Sequence, residues 1–217
     1  MKSILLGLIC LCLLGGTASA KTTTETQAWL AAGARVKLTK NLYLDGIALQ
    51  KSNLTLTDVF QFYPKVSLGY RAHKYLRLEG GARYTFDFDE GERDQRLRFF
   101  QDLGSSTPEL WWFKLGVRVR FQQTHEQNKD QWTPKLRNKL SISILLSPYF
   151  RPGVYYEHFL DLSESRENMS ADHRLGLSIG SRITPKHRLK LKFFQNTELN
   201  GDFDKEVVFY LGYHFHL

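Results

Sequence analysis

The chain has 217 residues, and 30 Lys and Arg against 22 Asp and Glu give it a formal net charge of +8 and a pI near 9.4. That length suits one sizeable domain. A content of 42% hydrophobic and 13% aromatic residues excludes a disordered chain.

Lys2, the apolar run from Ile4 to Leu14 and the small-residue exit Ala18-Ser19-Ala20 have the pattern of a secretory signal, which predicts cleavage after Ala20 and one domain over 21–217. The apolar run is shorter than the roughly 20 residues a membrane helix needs. Cys10 and Cys12 both fall inside it, so the mature chain has no cysteine and its fold is held without disulfides. No later window of 18 apolar residues exists, so a membrane location would not be that of a helix bundle.

Beyond the signal the pattern has period two. Strands are predicted over roughly 27–38, 42–49, 60–71, 75–88, 96–103, 110–122, 135–146, 149–162, 173–182, 188–195 and 207–217. In the sixth, Lys114, Gly116, Arg118 and Arg120 alternate with Phe113, Leu115, Val117, Val119 and Phe121. In the seventh, Lys135, Arg137 and Lys139 alternate with Leu136, Asn138 and Leu140; in the tenth, Arg188, Lys190 and Lys192 alternate with Leu189, Leu191 and Phe193. The class this implies is all-β, an antiparallel barrel.

Short links at 39–41, 72–74, 147–148 and 184–187 alternate with longer ones at 89–94, 124–133, 163–172 and 197–206. Outer-membrane barrels have this arrangement, with short periplasmic turns and longer outer loops. Fifteen of the 22 acids fall at or near the longer links: Asp87, Asp89, Glu90, Glu92, Asp94, Glu126, Asp130, Asp161, Glu164, Glu167, Asp172, Glu198, Asp202, Asp204 and Glu206. The pattern predicts a basic wall with an acidic outer rim.

Alternation alone leaves open which face is inside. A soluble periplasmic lipocalin-like barrel would turn Leu and Phe inward, whereas a transmembrane barrel turns them to lipid. Three features favour the membrane form. The polar faces are dominated by Arg and Lys instead of mixed charges. Trp111, Tyr84, Phe86, Phe88, Phe150, Tyr213 and Phe215 sit near strand ends, as interfacial aromatics do. Tyr210, Gly212, Phe215 and terminal Leu217 resemble the signal read by the outer-membrane barrel assembly machinery, with Leu217 in place of the more usual Phe. Arg or Lys on the lipid face costs about 2 to 4 kcal/mol at the midplane, so turning Arg118, Arg120, Arg137, Lys139, Lys190 and Lys192 outward would cost about 10 kcal/mol or more. That rivals a whole domain's stability.

From Trp29 to Leu217 the chain resembles the bacterial outer-membrane family catalogued as domain of unknown function 2490. The residues that carry the resemblance are Arg118-Val119-Arg120, Arg137-Asn138-Lys139-Leu140, Pro148-Tyr149, Tyr156-Glu157-His158-Phe159 and His173-Arg174-Leu175-Gly176, in that order and spacing. The resemblance implies an outer-membrane barrel of unknown activity. The first half, above all 49–60, departs more from the pattern.

Eleven predicted strands conflict with the even number of bacterial single-chain barrels. Twelve strands are expected, with an extra rising strand at 22–27 or a different division of 42–62, and ten is the alternative.

Catalytic patterns are weak. His158, His173 and His187 have Ser163, Ser165 and Ser170 nearby, yet no His-x-Ser pair lies on a strand, so an outer-membrane lipid hydrolase is the lesser alternative. His214 and His216 share a strand face without a third ligand at metal spacing, and read as inward polar residues near the periplasmic exit. Asp87, Asp89, Glu90 and Glu92 lack the Gly of a calcium loop. The bases lack the aromatic platforms of a nucleic-acid surface. No metal or cofactor is expected, and the partners are outer-membrane lipid, lipopolysaccharide and the assembly machinery.

The expected function is non-enzymatic: a small barrel whose basic lumen is either structural or a narrow anion-preferring passage. Its inward bases would be Arg35, Arg77, Arg83, Arg98, Lys114, Arg118, Arg120, Arg137, Arg174, Arg182 and Lys190, set against Glu79, Asp102 and Glu157. Glu157 is expected to face inward and pair with Arg137 or Arg174, because an unpaired buried carboxylate is costly.

Overall fold

The computed structural model describes residues 24–88, 95–127, 131–147, 149–163, 171–198 and 205–217. The predicted signal at 1–20 lies outside them, as do Asp89, Glu90, Glu92, Asp94, Asp130, Pro148, Glu164, Ser165, Glu167, Ser170, Asp202, Asp204 and the Glu198 side chain.

Every alternating segment forms a strand: β1 (Thr24–Lys37), β2 (Leu42–Asn53), β3 (Val59–His73), β4 (Leu76–Asp87), β5 (Gln95–Ser106), β6 (Phe113–Glu126), β7 (Gln131–Ile144), β8 (Phe150–Asp161), β9 (Ala171–Arg182), β10 (His187–Glu198) and β11 (Lys205–His216). Each pairs antiparallel with its sequence neighbours, and β1 lies against β11 to close the barrel. A closed barrel leaves no free edge, which in lipid would expose unpaired backbone groups.

The count of twelve, or ten, is corrected to eleven among the described residues. Among the described residues no separate rising strand precedes β1, because Thr24 already pairs with Lys205 and the ladder continues unbroken to Arg35 and His216. With an odd number of hairpin-linked strands the first and last run the same way, so this one seam is parallel. The 42–62 stretch resolves into β2, a turn in which Leu56 takes a positive φ of 62°, and the start of β3.

A second correction concerns the links. β6 and β7 extend to Glu126 and from Gln131, so the expected long loop at 124–133 shrinks to 127–130. The ladder continues past the apolar belt because backbone pairing stays favourable in water even where side chains turn polar. Two ends result: a turn end, with the C-terminus, and a loop end, where β1 begins.

The wall is inside out relative to a soluble domain. Buried side chains include Asp45, Gln61, Ser67, Glu79, Asp102 and Glu157, while Leu44, Val66, Leu103, Leu140, Leu175 and Leu191 are exposed on the outer face. Such a contiguous apolar belt marks a surface that needs a nonpolar solvent. Aromatics ring it at both levels: Phe62 stacks on Phe86, and Phe99 on Trp132, while Trp112 packs edge-on to Phe113 and the His187 Nδ1 meets the Tyr213 hydroxyl at 2.6 Å.

The lumen has its own packed cluster of Trp29, Leu49, Tyr63, Tyr155, Phe194 and Val208. Trp29 meets Phe194 edge-to-face at 5.2 Å. Gly176 makes this possible, since a Cβ there would lie 2.6 Å from Phe194 Cβ and 2.7 Å from Tyr155 Cζ.

Candidate functional site: a basic lumen

Period two puts the odd-numbered residues of β1 to β4, β7 and β8 and the even-numbered residues of β5, β6 and β9 to β11 on the inner face. They enclose a cavity of about 900 Å³ whose lining holds seventeen Arg and Lys side chains and three carboxylates. It reaches from Arg188 and His216 near the turn end to Arg96 and Asp172 near the loop end.

Four groups of paired charges organise the middle and the turn end. Glu157, almost fully buried, accepts from Arg118, lies 3.1 Å from Arg137 and 3.6 Å from Arg174. Asp102 takes a two-pronged bond from Arg120, at 2.6 and 2.7 Å, and lies 3.8 Å from Arg118. That bidentate geometry is the strong form of an arginine–carboxylate contact. Glu79 accepts from Lys65 at 3.1 Å, from Ser67 at 2.9 Å and from the Tyr43 hydroxyl at 3.3 Å. Asp45 bridges Arg35 at 3.2 Å and His214 at 2.8 Å, and His214 in turn contacts His216 at 3.2 Å.

Asp87 and Asp161, expected on the outer rim, belong instead to the lumen face at the loop end. Asp87 bonds Arg96 and Gln61, and Asp161 lies 2.9 Å from Lys135. Both sit at the last inward position of their strands, β4 and β8, so the alternation carries them inside.

Of the other predicted bases, Arg83, Arg98, Arg182 and Lys190 line the cavity with no carboxylate partner among the described residues. Arg77 and Lys114 share the lumen face but lie outside the cavity, with Arg77 4.0 Å from Glu79. Arg182 sits directly across from Arg188 on β10, and Arg151 faces Gly180 one strand over, so three arginines without a carboxylate partner among the described residues gather at the turn end. Several inner cations lie on aromatic faces: Lys51 on Trp29 at 4.3 Å, Lys139 on Tyr155 at 3.6 Å, Lys192 on Tyr210 at 4.1 Å. Such contacts stabilise a cation without neutralising it.

Sequence reasoning missed Asp45, Lys51 and Lys65 as lumen residues. In β2 the inward set Tyr43, Asp45, Ile47 and Leu49 is largely apolar, and the outward set includes Gly46, Ala48 and Gln50, so hydropathy alternation vanishes. Only strand parity, counted from β1 through its register, recovers them.

The C-terminal residues divide by face. Tyr210 and Gly212 line the cavity, Phe215 packs outside on His187, and the Leu217 amide donates to the Arg35 carbonyl at 2.8 Å. Gly212 makes room for the Tyr210 ring, since a Cβ would come within 2.5 Å of its hydroxyl and the ring would have to shift.

The serines and histidines of the hydrolase alternative do not converge. His158 and His173 stack on each other at 4.8 Å on the outer face, with the Tyr156 hydroxyl on His173, while the Ser163 hydroxyl bonds Asp161 at 2.5 Å. His187 is at the turn end. Among the described residues no group of three or more His, Cys, Asp or Glu is placed to hold a metal ion.

An inverted, closed barrel with a polar lumen defines the class as a β-barrel of the outer-membrane type. The chain belongs to the family described as Protein of unknown function (DUF2490), whose model matches residues 26–207. Among solved structures, the COG4313 outer membrane channel from Pseudomonas putida F1 has a TM-score of 0.51 at 11% identity, over 78% of this chain and 75% of that one. At that identity the likeness shows the fold. The loop-deleted outer membrane protein OmpT of Vibrio cholerae aligns at TM-score 0.43 and 8% identity, over 74% of this chain and 58% of that one. An anion-selective porin from Comamonas acidovorans aligns at TM-score 0.36 and 13% identity, over 78% and 55%. These two are too distant to support an argument. No curated protein matches the sequence.

Proposed function

We propose that the protein is a non-enzymatic outer-membrane barrel whose lumen is a narrow anion-preferring passage. The observation that carries this reading is the imbalance of seventeen cationic side chains to three carboxylates around one cavity running between the two ends. Rings of Arg and Lys select anions in pores by their field, and low-dielectric walls focus it. The apolar outer belt faces lipid, including lipopolysaccharide, and the Tyr210 to Leu217 strand is the element read by the assembly machinery.

The test is the reversal potential of the refolded barrel in a planar bilayer under a salt gradient. A small conductance with anion selectivity is expected. A cation-selective reversal potential contradicts the assignment. A bilayer that stays silent assigns the basic lumen a structural role, with its paired charges acting as a plug.

A further inference from the structure

The half of the lumen formed by β4 to β7 contains a cluster of cations that the ion pairs leave uncompensated. Arg83 and Arg98 are directly opposite each other in the β4–β5 ladder, both on the inner face. Like charges in that position are destabilising unless something lies between them. Arg96, Arg120 and Arg137 line the same cavity as this pair. The Arg98 Nε donates to the Thr124 hydroxyl at 2.7 Å. The Arg83 guanidinium rests on the Tyr63 ring at 4.4 Å, and its buried Nε has no hydrogen-bond partner among the described residues. Among the described residues the buried Nε atoms of Arg96, Arg118 and Arg137 also lack a partner, as does the Thr85 hydroxyl on the inner face beside Arg83.

Buried donors left unmet carry the full cost of desolvation, so a native cluster of them points to a missing acceptor. Within the cluster Arg96 has Asp87, Arg120 has Asp102 and Arg137 shares Glu157, while Arg83 and Arg98 have no carboxylate among the described residues. Two positive charges therefore remain. Guanidinium forks engage two oxygens at once, which suits a tetrahedral dianion and wastes most of its donors on a halide.

We propose that the lumen holds a saturable site for a small dianionic oxyanion of the phosphate or sulfate class, free or as the charged group of a larger solute, centred on Arg83 and Arg98. The site rests on the anion-passage reading and gives it a place. An anion held there compensates the facing guanidiniums and leaves the site by exchange with the neighbouring bases along the lumen.

The test is titration calorimetry of the full mature barrel in detergent with inorganic phosphate, sulfate and chloride, folding being checked by heat-modifiable migration. Saturable binding of phosphate and sulfate, and not of chloride, is expected. Arg98→Met and Arg83→Met should each weaken it by about tenfold or more, the worth of a charged hydrogen bond. Lys186→Met, the same charge change in an exposed turn, should leave it intact. Displacement of phosphate by a sugar phosphate marks the charged group of a larger solute as the ligand; failure to displace marks the free ion. Absence of saturable binding, or equal binding by Arg83→Met and the parent, overturns the site. An anion-selective barrel without saturable binding sinks the site alone, and a cation-selective barrel that binds phosphate sinks the passage alone.

Discussion

Two arginine clusters share this lumen, and they are built on opposite plans. Around Glu157, cations from β6, β7 and β9 converge on one buried carboxylate. Around Arg83 and Arg98, cations from β4 and β5 face each other with none among the described residues. The first cluster is closed in the sense that each of its arginines reaches the one shared acid, which ties their three strands to β8. The second is open, with buried donors awaiting an acceptor. The same residue type on the same inner face thus serves structure in one place and reception in the other, and a single acid makes the difference.

The largest effect should come from the frame on which both clusters hang. Deleting Phe215 to Leu217 removes the Leu217 amide bond to Arg35 at the β1–β11 seam and the His216 amide bond to Lys186 on the β10 side of the strand. Loss of heat-modifiable migration and of outer-membrane fractionation is expected. A truncation that inserts normally would dissociate barrel closure from this strand.

Within the frame, Glu157→Ala should destabilise the barrel by about 3 to 5 kcal/mol in urea titration, because three guanidiniums lose their common partner. A loss below 1 kcal/mol would erase the distinction between the clusters. Next in size is Leu140→Arg on the lipid face, which should cost about 2 to 4 kcal/mol in lipid vesicles. Leu140 is half-exposed on the outer wall, one residue beyond the lumen-facing Lys139, so the pair measures the register directly. A neutral effect there would argue that the outer belt does not face lipid.

The smallest effect sharpens the comparison most. Arg98→Met removes a cation without a carboxylate partner, so in the absence of oxyanion it should leave stability within about 0.5 kcal/mol of the parent, or raise it. Adding phosphate should then stabilise the parent and not the variant, as mass action on a folded-state site requires. Equal responses of the two would return Arg98 to a purely structural role.

Part of this molecule was legible in the chain alone. In β6, β7 and β10 each inward Arg or Lys is flanked by outward Leu, Val, Ile or Phe at most positions, so hydropathy gives the strand, its two faces and the direction of its bases. The cost of a charge in lipid then orients the wall. For the same reason the sequence alone places Arg118, Arg120, Arg137 and Lys190 in one lumen.

Tertiary structure decided what one-dimensional alternation does not encode. In β2 small and apolar residues occupy both faces, which hid Asp45 and Lys51. Strand number and the parallel β1–β11 seam depend on closure, a property of the whole sheet. The division between a closed and an open arginine cluster depends on register across the ladder, which sets Arg174 opposite Glu157 and Arg98 opposite Arg83. The sequence by itself determined that the bases point inward, because lipid tolerates no other register; which of them find a carboxylate was left to the stagger of the strands, since pairing is a distance and the sequence supplies only a face.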